Sequence, residues 1–320
     1  MTYARSILVP VGSPGTYHCV SRCVRRAWLC GEDRESGRSY EHRRRWVEDR
    51  IGTLAEIFAV AVWGYAVMSN HLHVVVQVLP QAAAQWSADE VAAKWCRLYP
   101  RRDLDASMRA EALAGNDDRI TLLRARLCDL SWFMRCLAEP IARRANREDG
   151  CKGHFWEARF KCQALLDETA VLSAMAYVDL NPVRAGICES LTDSAHTSAK
   201  ARLDSIAKDG HPVDQPLAPV LGLRGFGVLA LDQTGYLELV DHTGRQIHPG
   251  KRGAIAGPPP AALARIGYTA DQWRRQVLAV GSGYFRAIGA PELLIEKAQE
   301  IKLAWLRGIG IARQLRCKAA

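Results

Sequence analysis

The stretch VAVWGYAVMSNHLHVVVQV, residues 60–78, decides the fold. Two apolar runs, Val60 to Met68 and His71 to Val78, flank Ser69-Asn70, residue types that tolerate tight-turn geometry, so the stretch predicts a β-hairpin. Side chains alternate across a strand, which puts Leu72, Val74, Val76 and Val78 on one face and His71, His73, Val75 and Gln77 on the other. His71-Leu72-His73 therefore projects two imidazoles from one face, while Leu72 anchors the strand from behind. That arrangement suits a divalent cation. Taken alone, two histidines on a strand face are more often a hydrogen-bonded surface pair.

Upstream, Thr16 to Val24 alternates as a strand. A charged stretch with Arg43, Arg44 and Arg45 then leads into a helix in which Trp46, Ile51, Leu54 and Ile57 recur near helical spacing. Downstream, residues 81–126 are rich in alanine and charge and predict an inserted helical element. A further helix from Leu130 to Arg147 carries Arg135, Arg143, Arg144 and Arg147 on its polar side. His154 to Leu166 reads as a strand, and Asp167 caps a helix that runs to about Leu180. Asn181-Pro182 ends that helix, because a residue before proline is pushed out of helical geometry. In it, Val171, Met175 and Val178 form an apolar stripe, with Tyr177 and Asn181 one turn apart on a different face. Tyr177 is thus expected off the core, beside the small residues Ser173 and Ala174, where another segment of the chain or a nucleic-acid strand has room to approach.

Beyond Cys188 the chain turns to Ser, Thr, Ala, Asp and Lys, and Pro212, Pro216 and Pro219 follow. The expected organisation is a domain over 1–195, a linker over 196–225 and a basic, mostly helical extension over 226–320. The extension contains a strand-like piece, Tyr236 to Val240, and helices from about 261 to 314. Its Lys251, Arg252, Arg274, Arg275, Lys302, Arg307, Arg313 and Arg316 form either a second DNA-binding surface or a solvated helix face.

The 320 residues are 48% hydrophobic and carry a formal net charge of +9, and nucleic acid is the commonest polyanion served by such an excess. No apolar stretch approaches the roughly 18 residues that span a bilayer. A cytoplasmic, nucleoid-associated protein with no membrane partner is expected. The 10 cysteines are scattered without a CxxC pair, which predicts reduced thiols. The spacing of Cys19, Cys23 and Cys30 near His18 matches no zinc finger or ribbon.

Four motifs occur in order: Tyr17-His18 with Ser21-Arg22; Val67-Met68-Ser69-Asn70-His71-Leu72-His73; Trp156 with Arg159-Phe160-Lys161; and Tyr177-Val178-Asp179-Leu180-Asn181-Pro182-Val183-Arg184-Ala185-Gly186. Together, over roughly residues 10–195, they resemble the REP-associated tyrosine transposases, relatives of the single-tyrosine insertion-sequence transposases of the HUH type. The resemblance implies an α+β, ferredoxin-like fold with an antiparallel sheet, the histidine pair on a central strand and the tyrosine on a helix across it. It also implies Tyr177 as nucleophile and Mg²⁺ or Mn²⁺ on His71 and His73. Asn181 stands at the place of the polar third ligand. The implied substrate is single-stranded DNA carrying hairpins, cut through a 5′-phosphotyrosine with a free 3′-hydroxyl. A monomer is expected, although the insertion-sequence relatives exchange tyrosine helices in a dimer.

Candidate DNA contacts are Arg22, Arg25, Arg26, Arg43, Arg44, Arg45, Arg159 and Lys161, with Trp28 and Trp156 either stacking on unpaired bases or packing in the core. Two other readings remain at this point. One is a replication-initiator or relaxase-like nickase, and the other is a domesticated hairpin-binding protein that does not cleave.

Overall fold

The expected hairpin lies inside the sheet. In the computed structural model, which describes residues 5–24, 28–33, 35–101, 105–209, 216–223, 229–247, 258–284 and 286–316, β1 (Gly15–Arg22) is followed by α1 (Arg43–Ile57), β2 (Val60–Val67) and β3 (His71–Val78). Across the turn, Met68 N donates to His71 O at 2.9 Å. The helical insertion supplies α2 (Ala88–Leu98), α3 (Ala106–Ala114) and α4 (Asp117–Leu127), and α5 (Leu130–Glu148) leads to β4 (Lys161–Leu165), α6 (Glu168–Asp179) and α7 (Asn181–Arg184). The remainder contributes α8 (Ser198–Asp209), β5 (Leu221–Gly222), α9 (Gln233–Ile247), α10 (Ala270–Ser282) and β6 (Ala287–Ile288).

The six strands run in the order β5-β2-β3-β1-β4-β6. Neighbours pair antiparallel except β4 with β6, so this α+β fold has a mixed sheet rather than the antiparallel one expected. The parallel edge comes from the C-terminal extension, whose Ala287 and Ile288 sit against Ala164 and Leu165.

Register decides what meets on each face. Arg22 lies opposite His71, Val20 opposite His73 and Lys161, and His18 opposite Gln163. Directly opposed residues share a face, so these side chains converge on one side of the sheet. α6 covers that side. At Gly64, on β2, an added Cβ would stand 3.3 Å from Ser198 Oγ and 3.7 Å from Met175 Cα, so glycine is what lets the helix approach this closely. α1 covers the opposite face, where the Tyr65 hydroxyl donates to Glu48 at 3.1 Å.

Asp167 caps α6 as expected, accepting from Ala170 N at 2.7 Å. Every residue from Ala170 to Asp179 is buried, because α10 packs on the side of α6 facing away from the sheet. At its end, Asp179 accepts from Ser198 Oγ, from Ala199 N at 2.9 Å and from the Tyr236 hydroxyl at 2.6 Å. A single carboxylate thereby ties together α6, α8 and α9. Burial pushes its pKa upward against these donors.

Within the stretch expected as a linker, the described residues include regular elements. Among these are α8 and β5, and Arg202 on α8 is buried, donating to Trp63 O at 3.0 Å and Ala218 O at 2.8 Å. Among the described residues one hydrophobic cluster includes side chains from Leu8 to Ala312, Trp273, Val277 and Leu294 among them. Tyr236 to Val240 is helical rather than extended. Asp232 accepts from Gly235 N at 2.6 Å and so starts α9, and Tyr236, Leu239, Val240 and Thr243 then bury one helical face. Before β4, the segment expected as strand makes an isolated bridge between Cys23 and Trp156, and the Trp156 indole turns to donate to Ala138 O at 2.9 Å. No described helix is long and apolar enough to cross a membrane.

Tyr236→Phe leaves one Asp179 oxygen buried without its donor. It is expected to cost about 1–3 kcal/mol, seen as a lower urea midpoint with an unchanged slope.

Candidate active site

His71 and His73 project from the central strand as the alternation required. Their ring centroids are 4.8 Å apart. His73 is 4% exposed, and its Nε2 is buried with no hydrogen-bond partner. Its Nδ1 lies 2.9 Å from His18 Nε2, and His18 Nδ1 lies 2.8 Å from Gln163 Oε1. The Gln163 amide nitrogen in turn donates to Val280 O and Tyr284 O, each at 3.2 Å. His71 Nδ1 sits 2.6 Å from Asn70 Oδ1, an acceptor, which leaves His71 Nε2 free to bind a ligand.

Tyr177 stands edge-on over this pair, its ring 5.8 Å from His73 and 5.9 Å from His18. The Arg184 guanidinium lies 4.5 Å from the Tyr177 ring centroid. Arg184 is seven residues after Tyr177, two helical turns, and the short α7 after Pro182 keeps it on the same side. Arg184 and Arg22 both add positive potential at His73.

Burial keeps all three imidazoles neutral. It lowers the His18 pKa to about 4 and, with help from Arg22, that of His71 to about 4, while His73 is held well below the ordinary 6.5 by burial first and by His18, His71, Arg184 and Arg22 after it. Neutral imidazole is the form that binds metal.

Tyr177 departs from the expected open face. It is only 9% exposed, and an added Cβ on Gly281 of α10 would stand 2.5 Å from its hydroxyl. The apolar stripe on α6 located the sheet-facing side, and the small residues Ser173 and Ala174 left room on the other for another segment, the place that α10 takes. Asn181 is buried beside the site; its amide nitrogen donates to Tyr177 O at 3.0 Å, which leaves Oδ1 as its remaining acceptor. His71 and His73 thus fit a divalent cation through an orphaned Nε2 and a free one. Among the described residues no group of three or more His, Cys, Asp or Glu is placed to hold a metal.

The expected arginine contacts divide. Arg43 is fully buried, donating to Glu148 at 2.9 Å, to Trp28 O at 2.8 Å and to Asp149, so it is a structural cation and not a surface contact. Arg44 is engaged by Glu41 at 2.5 Å and by Val67 O. Arg45 is 82% exposed, 3.8 Å from Asp49. Arg22, Arg159 and Lys161 are exposed, with Arg22 and Lys161 on the imidazole face. Arg25, Arg26, Lys251 and Arg252 lie outside the described residues.

Three residues of the site went unassigned from sequence: His18, Gln163 and Arg184. The alternation of β1 and the helical spacing after Tyr177 were available as signals for His18 and Arg184. Gln163 required the β1–β4 register.

Comparison with known proteins adds little. No family profile matches the chain, and no curated protein matches it. One solved structure, a REP-associated tyrosine transposase bound to a REP hairpin, superposes over 73% of this chain and 97% of that one with a TM-score of 0.38 and 14% identity. A superposition at that level decides nothing about the site.

Two measurements check the site's electrostatics. The folded-state pKa values of the three histidines lie below the unfolded value, so their neutral forms favour folding above pH 6.5, and that stability is lost as pH falls towards 4. Urea titrations at pH 7 and pH 5 are expected to show a lower midpoint at pH 5, and replacing His18 with Gln should flatten the dependence. Separately, Arg43→Ala is expected to lower the melting temperature by several degrees through the charges it strands. Arg22→Ala should leave the melting temperature unchanged.

Proposed function

We propose that this chain is a metal-dependent strand transferase acting on single-stranded hairpin DNA, with Tyr177 as nucleophile. One observation carries the reading: the Tyr177 ring stands 5.8 Å from the ring of His73, whose Nε2 is buried with no partner of its own. A buried, orphaned imidazole nitrogen is costly unless something else binds it. The four ordered motifs, and their resemblance to the REP-associated tyrosine transposases, support the same assignment.

In this reading His71 and His73 hold Mg²⁺ or Mn²⁺, with the Asn181 amide oxygen as candidate third ligand. A cation there supplies charge to polarise the scissile phosphate. Arg184 and Arg22 place two guanidiniums on the same side, where they bind non-bridging phosphate oxygens and favour the charge that builds on them. A tyrosine hydroxyl ordinarily titrates near 10, so it needs that stabilisation to attack at neutral pH. The Tyr177 oxygen bonds to phosphorus, the bond from phosphorus to the 3′ oxygen breaks, and the tyrosine proton is replaced on the product side by the proton of the free 3′-hydroxyl. The 5′-phosphotyrosine keeps the energy of the phosphodiester, so a second 3′-hydroxyl reverses the step without ATP. A strand reaching Tyr177 has to part α10 from its hydroxyl, since Gly281 lies against it.

Incubating the protein with Mn²⁺ and labelled single-stranded hairpins is expected to yield a covalent adduct on a denaturing gel. Tyr177→Phe should bind DNA and form none, and Arg184→Ala should reduce adduct formation by roughly 10²-fold or more with little change in binding. An adduct that persists in Tyr177→Phe would exclude Tyr177 as nucleophile. Wild type that binds hairpins and never forms an adduct would favour a non-cleaving hairpin-binding protein.

A further inference from the structure

The chain of hydrogen bonds behind His73 has only one consistent direction. The Gln163 amide end that faces Val280 O and Tyr284 O, 3.2 Å from each, must be the NH₂ group, because carbonyl oxygens only accept. The other end, Oε1, therefore accepts, and His18 must donate to it from Nδ1 across 2.8 Å. A neutral imidazole has a single N–H, so His18 Nε2 is then an acceptor. It lies 2.9 Å from His73 Nδ1, so His73 must donate from that nitrogen. The lone pair of His73 is left on Nε2, the atom with no partner in the protein. The two rings are 9° from coplanar with centroids 5.1 Å apart, so they lie edge to edge along an N–H···N bond rather than one above the other.

We propose that Gln163 and His18 are positioning residues that lock His73 in the Nδ1–H form with Nε2 presented to a divalent cation, and that the backbone carbonyls of Val280 and Tyr284 set this relay. The C-terminal extension thereby becomes part of the metal site: the carbonyl of Val280 on α10 and that of Tyr284 just beyond its end orient an amide, the amide orients His18, and His18 orients the ligand. The inference deepens the metal-dependent reading above and rests on it for the identity of the ligand. Partners behind a metal-bound histidine ordinarily change metal affinity roughly ten- to a hundredfold when removed.

The relay is read without metal or DNA. In metal-free protein labelled with ¹⁵N-histidine, long-range ¹H–¹⁵N correlation is expected to show His73 protonated at Nδ1 and bare at Nε2, the resonance being assigned by its loss in His73→Ala. Gln163→Met, of similar shape without polar atoms, should turn this into a mixture of both forms and weaken Mn²⁺ binding, followed by electron paramagnetic resonance, by roughly ten- to a hundredfold. His18→Phe should do the same. His18→Gln, whose amide oxygen reaches the place of Nε2, should restore both the Nδ1–H form and the binding. Wild-type His73 protonated at Nε2 overturns the relay, as do Gln163→Met and His18→Phe proteins that bind Mn²⁺ like wild type with His73 unchanged. Wild type with the expected tautomer and Mn²⁺ binding but no Tyr177 adduct supports the relay while refuting the nuclease. Absence of Mn²⁺ binding by wild type overturns both.

Discussion

Three imidazoles and a phenol packed between a sheet and a helix have to be satisfied almost atom by atom, since a ring nitrogen buried without a partner loses the hydrogen bond that water would give it. Around His73 that requirement is met from three directions. β1 contributes His18, β4 contributes Gln163 and the C-terminal extension contributes two backbone carbonyls. The β1–β3 and β1–β4 registers are therefore set by polar matching as well as by apolar packing, because a slip of one residue would turn His18 to the other face. His73 Nε2 is the atom this matching leaves over, and the His73 ring lies 5.8 Å from that of Tyr177.

The same economy of partners explains why the C-terminal half cannot be treated as a tail. Asp179 draws its donors from α8 and α9, Gln163 its acceptors from the residues around the end of α10, and β4 gains a parallel neighbour in β6. These contacts surround α6 and account for the burial of Tyr177. Glycines appear where the layers come closest, Gly64 under α6 and Gly281 against the tyrosine hydroxyl. A helix held from both sides aims its tyrosine accurately. It also means that α10 covers the hydroxyl.

Charge is divided by role. Arg43 is consumed inside the protein by Glu148, Asp149 and a carbonyl, and Arg44 by Glu41 and Val67 O. Arg184 and Arg22 stay near the imidazoles, Arg184 over the Tyr177 ring. Of the three arginines that are consecutive in sequence, only Arg45 is left exposed to solvent.

Period-two alternation in residues 60–78 was enough to find the hairpin, the shared face of His71 and His73 and the anchoring role of Leu72, because strand geometry leaves a side chain only two directions. Capping by Asp167 was equally readable, since it acts within a turn of chain; α6 does end just before Asn181-Pro182, although Asn181 is itself helical as the first residue of α7. Arg43 was misplaced because a guanidinium carries no sequence mark of whether carboxylates or solvent will meet it. Tyr236 to Val240 was misplaced because so short a piece, four apolar residues and Glu238, fits either period, and the cap at Asp232 that decides for helix lies outside it. The sequence by itself determined the local elements and the residue types at the site. Only the tertiary structure decided that Tyr177 is covered, that Arg202 is buried against β2 and that Gln163 stands behind His18, because each depends on contacts between segments separated by tens to more than a hundred positions, whose pairing no local pattern encodes.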